Sequence, residues 1–140
     1  MSSAEDCVFC KIIAGEIPCF KLYENEDSLA FLDIHPTHEG HALVIPKQHA
    51  ADLFSIDDGA LIATIKTIRR VARAIDATLP LQGLNLMQCN GEAAGQSVFH
   101  FHMHLIPRDM GDDLKMNWDI VPGDMQAMEA LAEKIRTKLD

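Results

Sequence analysis

Residues 100–106 read His100, Phe101, His102, Met103, His104, Leu105, Ile106, three imidazoles alternating with bulky apolar side chains. That strict period of two predicts a β-strand with all three rings on one face and Phe101, Met103 and Leu105 turned toward a core. The strand is expected over residues 98–106. Its histidines then face a cleft or a second polar layer, an array suited to chemistry or to metal binding.

Outward from this strand, residues 7–14 (CVFCKIIA) predict a turn running into a short helix, closed by Gly15 and followed by Pro18. Residues 20–24 and 28–33 are short apolar runs separated by Asn25, Glu26 and Asp27, a hairpin pattern. A third strand is expected over 41–46, preceded by Pro36 and Gly40 and ended by a proline. From about 57 to 79, Leu61, Ile65, Ile68, Ala72, Ile75 and Leu79 recur at three- and four-residue spacing, predicting an amphipathic helix stopped by Pro80. A fourth strand over 84–89 joins the histidine strand through a loop of small residues, and a last helix is expected over about 124–139. The order βββαββα, without repeat or linker, points to an α+β fold with a mainly antiparallel sheet.

With 140 residues the chain fits a single domain, 1–140. A net charge of -9 with only 12 Lys and Arg argues against a nucleic-acid partner, because phosphate-backbone binding rests on clustered cations. One phosphate held in a pocket by backbone N–H groups, hydroxyls and histidines remains compatible with that charge. No apolar run approaches the roughly 18 residues of a membrane span. The polar, acidic start of the chain lacks the pattern of a secretory signal. A cytoplasmic location is therefore the expectation, in which Cys7, Cys10, Cys19 and Cys89 stay reduced, Cys19 and Cys89 as plain thiols.

A neutral imidazole can attack phosphorus at physiological pH, since its ordinary pKa of about 6.5 leaves much of it unprotonated. The phospho-imidazole so formed is labile and splits one hard displacement into two easier ones. Gly95, Gln96 and Ser97, just before the histidines, are placed to offer backbone N–H groups and two polar side chains to phosphoryl oxygens. Cys7 and Cys10 have the Cys-x-x-Cys spacing of two zinc thiolates, of a redox pair, or of two buried thiols. Clustered histidines also suit a catalytic metal held by His100, His102 and His104 together. His35 and His38 are expected in an exposed loop, Lys47 as a surface charge, and Trp118 either over the site that the histidines form or as a packing anchor.

On these residues the chain resembles the histidine-triad superfamily of nucleotide hydrolases and transferases. The motif His-φ-His-φ-His-φ-φ is satisfied at every position of 100–106. The resemblance extends over residues 7–18, 30–36, 40–49 and 90–97 in the expected order, and is nearest to the small nucleotide-binding, phosphoramidase-like branch that includes bacterial members. It implies a HIT-like α+β fold, about five mainly antiparallel strands with a long central helix and a C-terminal helix. It implies cleavage at the α-phosphate of purine nucleoside phosphoramidates through a nucleotidyl-histidine, with His102 as nucleophile and His104 assisting at the phosphate. His41 would organise the hydrogen bonds of the triad. Asn90, Gln96 and Ser97 would hold phosphate or the leaving group, Asp33 the ribose hydroxyls, and Phe9, Phe31 and Ile34 the base. A structural Zn2+ on Cys7, Cys10, His49 and His100 is implied, as is a homodimer whose sheets become continuous. Dinucleoside polyphosphate hydrolysis and a non-enzymatic nucleotide sensor are the alternatives.

Overall fold

The computed structural model describes residues 4–115 and 118–139. Helix α1 (Val8–Ile13) leads into strands β1 (Lys21–Glu24), β2 (Ser28–Leu32) and β3 (Ala42–Pro46). Helix α2 (Asp58–Thr78), strand β4 (Gly83–Met87), strand β5 (Met103–Arg108) and helix α3 (Met125–Arg136) follow. All strand pairings are antiparallel, in the spatial order β1-β2-β3-β5-β4, so the histidine-bearing β5 is an interior strand. The α+β class, the five strands and both later helices match the expectation from sequence.

Alternation along the strands sorts side chains onto two faces. Ala30, Ala42, Val44 and Leu105 pack on one side against Ile68, Val71 and Ile75 of α2. On the other side Leu29, Phe31, Leu43 and Ile45 pack against Cys7 and Phe9. His104 lies opposite Leu43 in the β3–β5 register and therefore belongs to the face covered by α1.

The buried stripe of α2 is rotated from the expected one. Thr64, Thr67, Ile68, Val71 and Ile75 are buried, whereas Ile65 is exposed. The threonines are accommodated because each finds a local partner, Thr64 Oγ1 on the Ala60 carbonyl at 2.7 Å and Thr67 Oγ1 with Ser28 Oγ at 2.6 Å. Hydropathy periodicity alone undervalues such satisfied hydroxyls.

The histidine strand is also shorter than expected, beginning at Met103 rather than at residue 98. Upstream of Met103 the side chains take over the hydrogen bonds that a ladder would make. The His102 ring donates from Nδ1 to the His100 carbonyl at 2.7 Å, and the His100 ring donates from Nε2 to the Pro46 carbonyl at 2.8 Å. The Phe101 N–H goes instead to the Ala50 carbonyl at 2.7 Å. Phe101 and Leu105 are still buried as the pattern required, and Met103 partly so. Strand β4 begins one residue earlier and ends two earlier than expected. Helix α3 buries none of its residues in this chain and exposes Met125, Met128, Leu131 and Ile135.

Candidate active site and metal centre

The three histidines are not equivalent. His100 is completely buried, His102 is 6% exposed, and the His104 side chain is 20% exposed. The His102 and His104 rings stand 5.2 Å apart, centroid to centroid, near a T-shaped arrangement. Phe9 seats its ring against both His100 and His102, at 5.9 and 5.1 Å, and against Phe31 at 5.7 Å. Phe9 and Phe31 are themselves buried, Phe31 against Phe9 and Phe9 against the two rings, while Ile34 is 71% exposed.

Hydrogen bonds fix the tautomer of each ring, because backbone carbonyls only accept and backbone N–H groups only donate. His102 must carry its proton on Nδ1 to reach the His100 carbonyl, which leaves a lone pair on Nε2. His41 accepts the Thr37 N–H on Nδ1 at 3.1 Å, so its proton sits on Nε2, 2.9 Å from His104 Nδ1. His104 therefore accepts on Nδ1 and carries its own proton on Nε2. One ring of the adjacent pair His102 and His104 presents a nucleophilic nitrogen, and the other presents a donor.

Burial reinforces the neutral forms. His104 is brought down to about 4, by burial first and then by the neighbouring His102 and His41 rings. Burial likewise lowers His102 and His41, with the Asp33 carboxylate opposing it in both. Asp33 follows β2, and its backbone N–H donates to the His41 carbonyl at 3.0 Å. Its Oδ1 accepts the His35 N–H at 2.8 Å, and its Oδ2 lies 3.5 Å from His41 Nε2 and 3.9 Å from His104 Nδ1.

His100 faces a different set of partners. With its Nε2 proton given to Pro46, its Nδ1 lone pair points at Cys7 Sγ (3.4 Å), Cys10 Sγ (3.5 Å) and His49 Nδ1 (3.2 Å), and Cys10 Sγ is 3.3 Å from His49 Nδ1. All four donor atoms lie within 4.8 Å of one another. Zinc bonds of about 2.1 Å to nitrogen and 2.3 Å to sulfur imply tetrahedral edges of about 3.4 Å between nitrogens and about 3.6 Å between nitrogen and sulfur. The donor set therefore fits Zn2+ closely. Without a cation, burial together with a hydrogen bond and charge from Cys7 pushes the Cys10 thiol up to about 11. Asp33, His41 and His104 form a second cluster of potential ligands, but the facing ring nitrogens of His41 and His104 are 2.9 Å apart, a hydrogen bond rather than a metal site.

The loop before the histidines divides its labour. Gln96, buried, donates to the Ala51 and Val98 carbonyls at 2.6 and 3.1 Å and accepts the Gly91 N–H at 2.8 Å. Its amide is thereby committed to holding the loop. Asn90 is tied to Gln88 and to the Leu53 N–H. Ser97 is exposed, and its hydroxyl has no hydrogen-bond partner among the described residues.

His38 departs from expectation: it is not an exposed loop residue. Its side chain is 15% exposed, with Nε2 at 3.4 Å from Asp112 Oδ2. Arg108, at the end of β5, grips Asp112 with two bonds of 2.7 and 2.6 Å and brings that carboxylate to His38. Such a contact between distant loops leaves no mark on local pattern. His35 is exposed and Lys47 pairs with Glu24 at 2.8 Å, both as expected. Trp118 is 79% exposed and has no ring contact among the described residues, so within one chain it is not a packing anchor. Thr37, whose backbone sets the His41 tautomer, carried no sequence signal because any residue supplies that N–H.

An antiparallel sheet carrying an imidazole with a free ring nitrogen, an adjacent imidazole donor and a separate Cys2His2 set defines a class of histidine-clustered α+β proteins. The comparisons with known proteins place it more narrowly: residues 14–111 match the HIT domain, and this chain belongs to the HIT family. It is similar to the adenosine 5'-monophosphoramidase of Schizosaccharomyces pombe, 42% identical over 95% of this chain and 98% of that protein. Among solved structures it resembles a HIT family protein from Bacillus anthracis, 41% identical with a TM-score of 0.90 over 99% of this chain and all of that one. It also resembles a Zn-bound histidine triad family protein from Mycobacterium smegmatis, 35% identical with a TM-score of 0.76 over 98% of this chain and 100% of that one. No helix among the described residues is long and apolar enough to cross a membrane.

Proposed function

We propose that this chain is a nucleotide hydrolase or nucleotidyl transferase that cleaves purine nucleoside phosphoramidates at the α-phosphorus through a nucleotidyl-histidine on His102. The observation that carries this reading is the 2.7 Å bond from His102 Nδ1 to the His100 carbonyl, which aims the Nε2 lone pair outward. The similarity to a fungal adenosine 5'-monophosphoramidase over nearly the full chain supports the substrate class.

In the first step Nε2 of His102 bonds to phosphorus as the phosphorus–nitrogen bond of the substrate breaks. The substrate nitrogen, protonated from solvent, departs as the neutral amine. His104 Nε2–H donates to a phosphoryl oxygen, where negative charge concentrates in the transition state. Water then attacks phosphorus, the bond to Nε2 breaks, the nucleoside monophosphate leaves, and the water proton passes to solvent. Ser97 and backbone N–H groups of its loop line the phosphate, Asp33 receives the ribose, and Ile34 covers the base.

Zn2+ on Cys7, Cys10, His49 and His100 would be structural, because four protein ligands leave no position for substrate. Held there, His100 fixes the carbonyl that orients His102. A reducing, cytoplasmic setting keeps the two thiols available for the metal. A homodimer is supported by the edge position of β4, whose Leu86 is half exposed, and by the uncovered apolar stripe of α3.

The test is side-by-side turnover of adenosine 5'-phosphoramidate and diadenosine polyphosphates, with trapping of labelled nucleotide on His102. Preferential phosphoramidate turnover and a chelator-resistant adduct are expected. Faster polyphosphate cleavage would move the chain to the dinucleoside polyphosphate hydrolases, and binding without turnover of either would make it a nucleotide sensor.

A further inference from the structure

The His41–His104 hydrogen bond has two possible proton arrangements, and only one leaves a donor facing the substrate. In the productive one His41 Nε2–H points at His104 Nδ1, and His104 keeps its proton on Nε2. In the other, His104 Nδ1–H points back at His41, and His104 turns a lone pair toward the phosphate, where it repels the phosphoryl oxygens. For isolated neutral imidazoles these arrangements differ little in energy, so the surroundings must choose.

Two groups make that choice from opposite sides. The Thr37 N–H donates to His41 Nδ1 at 3.1 Å and so disfavours a proton there, since the other arrangement would break this bond. Asp33 Oδ2 lies 3.5 Å from His41 Nε2 and 3.9 Å from His104 Nδ1, beside the very hydrogen that the two rings share. Lying nearer to His41 Nε2 than to His104 Nδ1, the carboxylate favours the arrangement with the proton on His41 Nε2 and the lone pair on the more distant ring. The carboxylate is not free to swing away. Its other oxygen is held by the His35 N–H at 2.8 Å, its own N–H by the His41 carbonyl at 3.0 Å, and its side chain is only 16% exposed.

We propose that Asp33 is a positioning residue that locks the His41–His104 pair in the arrangement with His104 Nε2–H facing the phosphate. Since the same carboxylate is the expected ribose partner, the sugar contact and the phosphate donor share one group. A substrate lacking ribose hydroxyls forfeits the first role of Asp33 and retains the second. The kinetic arm of the test rests on the phosphoramidase reading above, whereas the spectroscopic arm does not.

The experiment compares the zinc-loaded, full-length wild type with Asp33→Ala and Asp33→Asn, on adenosine 5'-phosphoramidate and on its 2',3'-dideoxy analogue. Asp33→Ala is expected to lower kcat about 10- to 100-fold on both substrates, less than removal of the positioned donor itself. Asp33→Asn, which keeps an acceptor oxygen, recovers part of it. Equal kcat for wild type and Asp33→Ala on the dideoxy analogue would reduce Asp33 to a ribose ligand and overturn the proposal. Nitrogen-15 NMR of the ligand-free protein reads the ring protons directly: His104 in the wild type is expected as the Nε2–H form, with Asp33→Ala shifting it toward a mixture. A wild-type His104 protonated on Nδ1, or an unchanged Nε2–H form in both variants, would also overturn it. Should the wild type turn over neither substrate, the phosphoramidase reading fails and the spectra still decide the role of Asp33.

Discussion

His102 Nδ1 and the carbonyl oxygen of His100 are 2.7 Å apart, so the residue expected to carry the nucleotide is oriented by the backbone of the residue expected to bind zinc. The proposed nucleophile and the candidate metal site are thereby joined through two residues of chain. Exchange of His102 for alanine removes the ring that, among the described residues, turns a free lone pair outward beside His104. His102→Ala is expected to reduce turnover below about a thousandth of wild type while nucleotide affinity, read by calorimetry, stays within a few-fold. Near-normal turnover would eliminate the covalent route.

His104 and His41 act as a pair, and their losses should not add. Each of His104→Ala and His41→Ala is expected to lower kcat by about 10^2- to 10^4-fold, the range for a positioned donor. The double variant should fall little further, because removing either breaks the same 2.9 Å hydrogen bond. Strict additivity in the double-mutant cycle would mean that the two rings work independently.

The pH dependence follows from the burial of His104, which brings it from 6.5 to about 4. Between these values the unfolded chain binds a proton that the folded chain refuses. Stability from this group is therefore full above pH 6.5 and declines as pH falls toward 4, by at most about 3 kcal/mol. Below pH 4 both states are protonated and the decline stops. Urea titrations of wild type and His104→Gln at several pH values isolate the contribution; a steeper loss in the variant would contradict it.

Metal content offers a direct check of the Cys2His2 geometry. Purified protein is expected to hold one zinc per chain by elemental analysis, and Cys10→Ser to lose it with a lower Tm. A strong chelator should lower Tm as well, whereas an adduct already formed on His102 should survive. Redox-active metal restoring activity after chelation would instead favour a catalytic centre on the three histidines.

Gly40 sits immediately before His41 with a positive φ of 86°, and a Cβ there would meet Leu79 Cδ1 at 2.8 Å and Pro107 Cγ at 3.3 Å. Gly40→Ala is expected to cost about 1 to 3 kcal/mol of stability through backbone strain and crowding. Thermal melts report that cost, and the accompanying loss of kcat at a permissive temperature reports the displacement of His41.

The sequence by itself determined the α+β class, the five strands, the long α2 helix and the family, because binary patterns, turn residues and the alternating histidines are local signals. Cys7, Cys10, His49 and His100 could be nominated from the motif, and their donor atoms do converge. What only the tertiary structure decided is the inequality among the histidines. The pattern at 100–106 suggested three rings on one strand, yet ring N–H groups replace the ladder before Met103 and leave only His104 in β5. The same holds for the Thr37 N–H, the Asp33 carboxylate beside His41 and the contact of His38 with Asp112. A ring's tautomer depends on which backbone group meets each nitrogen, and those groups come from chain segments whose proximity no local pattern encodes.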